Sequence, residues 1–467
     1  MRLYNTLSRK IEELKPQSPP QVKVYTCGPT VYDYAHVGHW FNYVRMDSLI
    51  RTLKANGYSP TWIMNITDVG HLTSDSDEGE DKLQKGARRE GKSAWDIAEF
   101  YTRDFIDGMR LLNITEPNKM PKATDHISEQ IDLIKILEQD GFIYVIDDGV
   151  YFDTSKFPDY SKFARLDLDE QLPGARVSFN PSKRNGSDFA LWKFTPTGQQ
   201  RDMEWDSPWG KGFPGWHIEC SAMSLKYLGE TLDIHTGGID HVPVHHTNEI
   251  AQSQSATGKP LSRLWLHSNH VTIDGIKISK SLENGIRLQD IADKKIPLEA
   301  LRLHIMESHY RNQSKFTWQS LQAAQNRWQD LRAMAVLRWQ PRAIISDAAT
   351  FALEDIPKQL LRIMSNDLDT PQALRFLSTV SNQILSVLIE KGKVKQYEIM
   401  LKGIDEIMGF NLLQQPDITD SQKKLLADHE VARSEQKWEI SDKLRDKLFN
   451  QKIGLRDTPQ GTIWFRL

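Results

Sequence analysis

VKVYTCGPTVYDYAHVGHWFNYVRMDSLIRTLKANGYSPTWIMNITDV, residues 22–69, decides the reading of the fold. VKVYTC (22–27) is a short β-rich run that Gly28-Pro29 breaks. From about His39 the apolar spacing becomes helical, and it stops at Gly57, a residue suited to closing a helix. PTWIMNITDV (60–69) reads as the next strand. Strand, glycine-bearing turn, helix, strand is a βαβ unit, which predicts an α/β fold on a parallel sheet. Within it, Cys27 closes the first strand, and His36 and His39 flank Gly38 where the helix begins.

Outward from this unit, the chain of 467 residues is too long for one core and predicts two to four domains. Residues 116–200 interrupt the α/β rhythm with a helix (HISEQIDLIKILEQDG), a hairpin (GFIYVIDDGVYFD) and a stretch rich in Pro, Gly and Ser. They read as an insertion, with the α/β pattern resuming over 201–270. VTIDGIKI (271–278) reads as two β runs across the Asp274-Gly275 turn pair. Downstream of about 317 the pattern is helical, and a small tail follows: a charged helix, then IGLRDTPQGTIWFRL as a terminal hairpin.

Composition sets limits. With 39% hydrophobic and 26% charged residues, the chain matches an ordinary soluble protein. No run of eighteen apolar residues is present, so a membrane span is not expected. The start, MRLYNTLSRKIEELK, lacks the apolar centre of a secretory signal, and two cysteines allow at most one disulfide. A cytosolic location is the expectation. A net charge of -3 excludes a uniformly basic nucleic-acid coat but permits a local basic face toward a polyanion.

Three segments carry chemistry. DIHTGGIDHVPVHHTNEIAQSQ (233–254) holds five candidate ligands, His235, His241, His245, His246 and Glu249. If VHHTNEIAQSQSA is a helix, His245 and Glu249 lie one turn apart on one face. With Cys27 and Cys220 they give two thiols, an imidazole and a carboxylate, all acceptable to zinc. By spacing alone the same residues also read as a solvated histidine face and two packed thiols. KISKS (277–281) puts two lysines among small hydroxyl residues after a turn, where they can neutralise a polyphosphate or simply face water. His36 and His39 stand where a helix start already favours an anion.

Together, a His-x-Gly-His turn after the first strand and a Lys-x-Ser-Lys-Ser loop after the last resemble the two marks of class I aminoacyl-tRNA synthetases. TCGPTVYDYAHVGH, NITD (65–68), FALWK (189–193), PGWHIECSAM (214–223) and HHTNEIAQSQ resemble blocks of the cysteinyl-tRNA synthetases. SNDLDTPQALRFL (365–377) and SDKLRDKLFNQKIGLRDTPQGTIWF resemble that family's helical-domain and anticodon-end motifs, so the likeness runs nearly end to end. The resemblance implies a Rossmann-like catalytic domain over 1–115 and 201–270, with a connective insertion at 116–200. It further implies a stem-contact region at 271–316 bearing the lysine loop, a helical bundle at 317–415 and a small α+β anticodon-binding domain at 416–467.

It also implies a reaction: ATP activates L-cysteine as cysteinyl-adenylate, and the aminoacyl group passes to the 3′ end of tRNA(Cys). One Zn2+ per chain is implied on Cys27, Cys220, His245 and Glu249, with the substrate sulfur as a further ligand. Four protein ligands more often mark a closed structural site. The metal would answer a selectivity problem, because ordinary contacts separate near-isosteres such as cysteine and serine by only ~1–3 kcal/mol. His36 and His39 fall to the ATP phosphates, Lys277 and Lys280 to the departing pyrophosphate, and Mg2+ to ATP itself. Thr67 and Trp216 fall to the side-chain pocket. In the tail, Trp438 and Trp464 are candidates to stack an unpaired base, or else core residues.

HTGGIDHVPVHH departs from the family's HGGG and leucine-FPHH pattern at Thr236, His241 and Val244, and NITDVGHLTSDSDEGEDK is longer than its NITDIDDK. These departures bear on pocket geometry. His241 reads as a polar surface residue or as a partner behind a metal ligand.

Overall fold

The computed structural model describes residues 1–69, 82–165, 181–196, 198, 201–278, 284–341, 352–458 and 461–467. The chain divides into two compact units. The first comprises Met1–Thr272, Lys277–Leu288 and Tyr310–Ser314; the second comprises Ile273–Ile276, Gln289–His309 and Lys315–Leu467.

At the centre of the first unit is a four-stranded parallel sheet. Its order is Ser262–Ser268, Leu232–Gly238, Gln21–Thr26 and Ser59–Met64. Val22, Val24, Tyr25, Leu232 and Ile234 are buried whichever face they point to, as strands covered on both sides require. The expected βαβ unit is present, its helix running Val37–Ala55 and closing on Gly57 at φ +83°. That helix starts two residues earlier than the apolar spacing indicated, because His36 caps it. Its lack of a polar stripe has a simple cause: Arg45, Asp47, Ser48 and Thr52 are buried along with its apolar residues.

The predicted insertion hairpin forms between Ile143–Ile146 and Gly149–Phe152 and extends into an antiparallel sheet with Phe189–Phe194 and Gly212–Pro214. The fourth of these strands leads straight into the helix Trp216–Leu228, with Gly215 between them. Val150, Phe152, Leu191 and Trp192 of this sheet share one core with Ile134 and Leu137 of the helix Ile127–Gln139. Ile218, Ala222 and Ala251 join the same core, so the insertion buttresses the two helices that carry Cys220 and Glu249.

The second unit is chiefly helical: Leu298–Met306, Trp318–Val336, Asp355–Met364, Thr370–Val387 and Val394–Met408. The expected charged tail helix is two helices, Asp420–Ser434 and Trp438–Asn450, and the terminal hairpin pairs Ile453–Thr458 with Gly461–Arg466. Val336, Ile418, Leu448, Ile453 and Trp464 form the tail's core, which settles Trp464 as a packing residue while Trp438 is 56% exposed. Gln340 fixes the hairpin, donating to the Trp464 carbonyl at 2.9 Å and accepting from its amide at 2.8 Å. Among the described residues no helix is long and apolar enough to cross a membrane.

Candidate active site

Carboxyl ends of the parallel strands converge on one buried cluster, the place where α/β sheets present their chemistry. Cys27 follows the strand Gln21–Thr26 and continues its ladder, donating its amide to the Thr236 carbonyl at 3.1 Å. Gly28 must follow: a Cβ there would stand 1.6 Å from the Asn65 carbonyl oxygen. Cys220 comes from the second turn of the helix Trp216–Leu228, and Glu249 from the first turn of Thr247–Thr257. His245 belongs to a wide π turn, Val242–His246, that feeds this helix, and Thr247 Oγ1 donates back to the Val242 carbonyl at 2.7 Å. Such widened turns recur at functional sites because they re-aim a side chain.

The structure brings Cys27, Cys220, His245 and Glu249 together, one donor atom of each lying within 4.8 Å of the others, all buried. Cys27, His235, His246 and Glu249 form an overlapping set within the same limit. Glu249 Oε1 lies 2.9 Å from His245 Nε2, and its Oε2 lies 2.7 Å from His235 Nε2. Cys27 Sγ approaches His246 Nε2 at 3.3 Å and donates to Glu249 Oε1 at 3.6 Å.

Electrostatics here favour a cation. Burial pushes both thiols up, but the hydrogen bond from Cys27 and the His245 charge overcome this at Cys220 and bring it down to about 6. Burial would likewise neutralise His245, yet Glu249 and Cys220 raise it to about 10. Against its own burial, Glu249 is held well below the carboxylate range by His235 and His245. The Cys220 thiol and the Glu249 carboxyl are both drawn toward their charged forms, the forms in which they ligate a metal ion. The donor set, two sulfurs with one nitrogen and one carboxylate oxygen, fits zinc.

Around the cluster stand residues that spacing did not single out. His217 Nδ1 meets His245 Nδ1 at 2.9 Å, and His267 Nε2 meets His246 Nδ1 at 2.7 Å, each fixing a ring from behind. Their only sequence signal was adjacency, His217 standing three residues before Cys220 and His267 closing a strand. Thr67 is buried, donating to Glu219 Oε2 at 3.0 Å and accepting from Asn65 Nδ2 at 3.1 Å. Trp216 lies 4.4 Å, ring to ring, from His245. His241 is half-buried, its ring 5.1 Å from both His245 and His246, and desolvation there presses its pKa down to about 4. Thr236 has a plain role, its hydroxyl pairing with Thr26 at 2.8 Å. Gly237 is required, since a Cβ would lie 2.8 Å from both His241 and His246.

The second expected site lies at the start of the helix Val37–Ala55. His36 Nδ1 accepts from Gly38 N and His39 Nδ1 accepts from His36 N, both at 3.1 Å, so the two histidines cap the helix reciprocally. Their rings stack at 3.9 Å. Lys277 is exposed at the end of Ile276–Lys277. Asp274 and Gly275 before it both have positive φ, as their turn demands. Lys280 lies outside the described residues.

Comparison with known proteins bears on this arrangement. Residues 13–326 match the family described as "tRNA synthetases class I (C) catalytic domain". Cysteine–tRNA ligase 1 of Burkholderia lata is 44% identical, with 100% of this chain and 97% of that protein covered. The cysteine–tRNA ligase of Treponema denticola is 40% identical with both chains covered in full. This chain belongs to the cysteinyl-tRNA synthetase family. It is accordingly a class I aminoacyl-tRNA ligase, as the paired histidine and lysine motifs indicated. That of Thermococcus gammatolerans is 36% identical over 100% of this chain and 99% of its own. Among solved structures, Mycobacterium tuberculosis methionyl-tRNA synthetase in complex with methionyl-adenylate superposes with a TM-score of 0.60 at 15% identity. It covers 85% of this chain and 93% of its own, and shows the shared fold.

Proposed function

We propose that the chain charges tRNA(Cys) with L-cysteine in two steps and that zinc on Cys27, Cys220, His245 and Glu249 selects the substrate. The observation that carries this reading is the convergence of those four donors from distant segments into one buried group. The four-residue set with two sulfurs is preferred over the overlapping one because zinc gains most from thiolates. When bound, zinc would supply a Lewis acid that takes a thiolate and leaves a serine hydroxyl, far harder to ionise, unbound.

The chain's own groups do the rest by position and charge. Thr67 and Trp216 bound the side-chain pocket. His36 and His39 hold the ATP phosphates at the helix start, and Mg2+ accompanies the nucleotide. A cysteine carboxylate oxygen bonds to the α-phosphorus as the bond to the β-phosphate oxygen breaks. Lys277 and Lys280 neutralise the pyrophosphate that leaves. In the second step a ribose hydroxyl of the tRNA 3′ end attacks the adenylate carbonyl and AMP departs.

For the tRNA, the insertion at 116–200 would meet the acceptor end, and the bundle at 317–415 and tail at 416–467 the anticodon side. Exposed Trp438, with Arg433 5.9 Å from its ring, offers a stacking surface there.

The test is cysteine-dependent ATP–pyrophosphate exchange with metal analysis. Cys220→Ser is expected to lose zinc and cysteine activation together, while the unmodified protein holds one zinc and ignores serine. An active, metal-free Cys220→Ser protein would refute the assignment.

A further inference from the structure

Ile278 of the lysine loop and the residues that follow the loop rest on the His-Val-Gly-His turn. Ile278 packs on Gly38, where an added Cβ would stand 3.0 Å from the Ile278 Cδ1. Downstream, Gly285 lies against His36, a Cβ there falling 3.4 Å from its Cβ and Cδ2. The contact then becomes backbone pairing: Val37 N donates to the Ile286 carbonyl at 2.7 Å, and His36 and Arg287 face each other as an antiparallel bridge. Asn284 Nδ2 donates to the Lys277 carbonyl at 3.2 Å and so ties the downstream stretch to the backbone of the catalytic lysine.

The side chain of Arg287 ends this stretch on a prepared platform. Its guanidinium carbon lies 4.4 Å from the centre of the Tyr34 ring. Tyr34 is itself pinned edge-on by Tyr101 at 5.0 Å and Phe100 at 6.1 Å, both from the helix Ala94–Leu111. Asp104 of the same helix, whose carboxyl burial lifts, also feels the Arg287 charge. Tyr34 stands two residues before His36. One cation–π contact therefore joins the lead-in of the histidine turn to the exit of the lysine stretch.

We propose that Arg287, seated on Tyr34, is a positioning residue for the ATP-dependent step. It holds residues 284–287 against the histidine turn and thereby sets Lys277 relative to His36 and His39. Arginine suits this task, because a planar guanidinium lies flat on a ring while its backbone makes the bridge. The inference rests on the reading that these histidines and lysines hold ATP.

Its test is steady-state pyrophosphate exchange for Arg287→Ala, Arg287→Lys and Tyr34→Leu. Arg287→Ala is expected to raise KM for ATP or lower kcat by about three- to thirty-fold, the reach of one such contact. KM for cysteine, bound zinc and melting temperature should stay as in the parent. Arg287→Lys, which keeps a cation over the ring, should recover most of the loss. Tyr34→Leu should match Arg287→Ala, and the double variant should be no worse than either. Parent-like kinetics in Arg287→Ala, or an equal rise in both KM values with loss of zinc, would overturn the proposal. His39→Ala and Lys277→Ala separate the two readings. If they abolish exchange while Arg287→Ala is silent, only the tether falls; if they too are silent, the ATP reading falls and takes the tether with it.

Discussion

Gly28 shows how little latitude the site allows at the scale of one residue. Its amide donates to Asn65 Oδ1 at 2.8 Å, and the space a methyl would need is filled by backbone, which cannot swing aside. Gly28→Ala should therefore cost about 3 kcal/mol, the upper range of an overpacked core, and should shift Cys27. Urea denaturation with zinc titration would check this; unchanged stability and full zinc content would show that the strand end can move. At this scale the sequence was partly legible. Cys27 and Cys220 stood out because thiols are scarce, and His245 and Glu249 because one helical turn separates them. His217 and His267 did not, since a ring that supports a ligand from behind needs no fixed spacing from it.

At the scale of elements, the βαβ unit, the insertion hairpin and the terminal hairpin were readable because apolar periodicity and turn residues agree locally. The third and fourth strands of the insertion's sheet were harder to see. Gly212–Pro214 looks like a turn, and only pairing with Phe189–Phe194 makes it a strand. Nor does local pattern reveal the π turn before Glu249, which depends on what the histidines pack against. Helix propensity alone also misleads at Gly108, inside the helix Ala94–Leu111. Alanine there should gain about 1 kcal/mol on propensity. A Cβ at Gly108, however, would lie 2.5 Å from two ring atoms of Trp40. Trp40 is 1% exposed and stacks on Phe105 at 5.3 Å, so it has no free direction to yield. Gly108→Ala should thus be net destabilising by about 1–3 kcal/mol. Because Trp40 follows His39, KM for ATP should rise as well. Adding Trp40→Leu should recover part of the stability in thermal melts; a stabilised single variant would mean the helices can separate.

At the scale of the whole molecule, two linkages are expected, each on a different unit. All four proposed zinc donors lie in the first unit, and a ligand bound only by the folded state stabilises it in proportion to the logarithm of its concentration over Kd. The second unit carries a separate pH dependence. His429, on the helix Asp420–Ser434, is fully buried, and among the described residues neither ring nitrogen has a hydrogen-bond partner. Burial lowers its pKa, the neighbouring charge of Arg445 lowers it further, and Asp457 opposes them only in part, being engaged by Arg433 and Arg445 at 2.8 and 2.7 Å. A histidine with a depressed folded pKa binds its proton preferentially in the unfolded chain. Stability is therefore unaffected well above the unperturbed value of about 6.5 and falls as pH drops below it. Asp457 is held low by hydrogen bonds from Thr462 and Arg445 that outweigh its burial, so its contribution is lost only in more acid solution, below the ordinary carboxylate range. His429→Leu should accordingly flatten the loss of melting temperature between neutral and mildly acid pH. Zinc removal by a chelator should lower stability through the first unit instead. No residue is common to the two clusters, so the gain from His429→Leu in mild acid should be the same with and without chelator. Calorimetry of the full chain across those four conditions checks both. A His429→Leu gain that vanished on zinc removal would show that the tail senses the metal site, and an unchanged acid slope would show that some other group titrates.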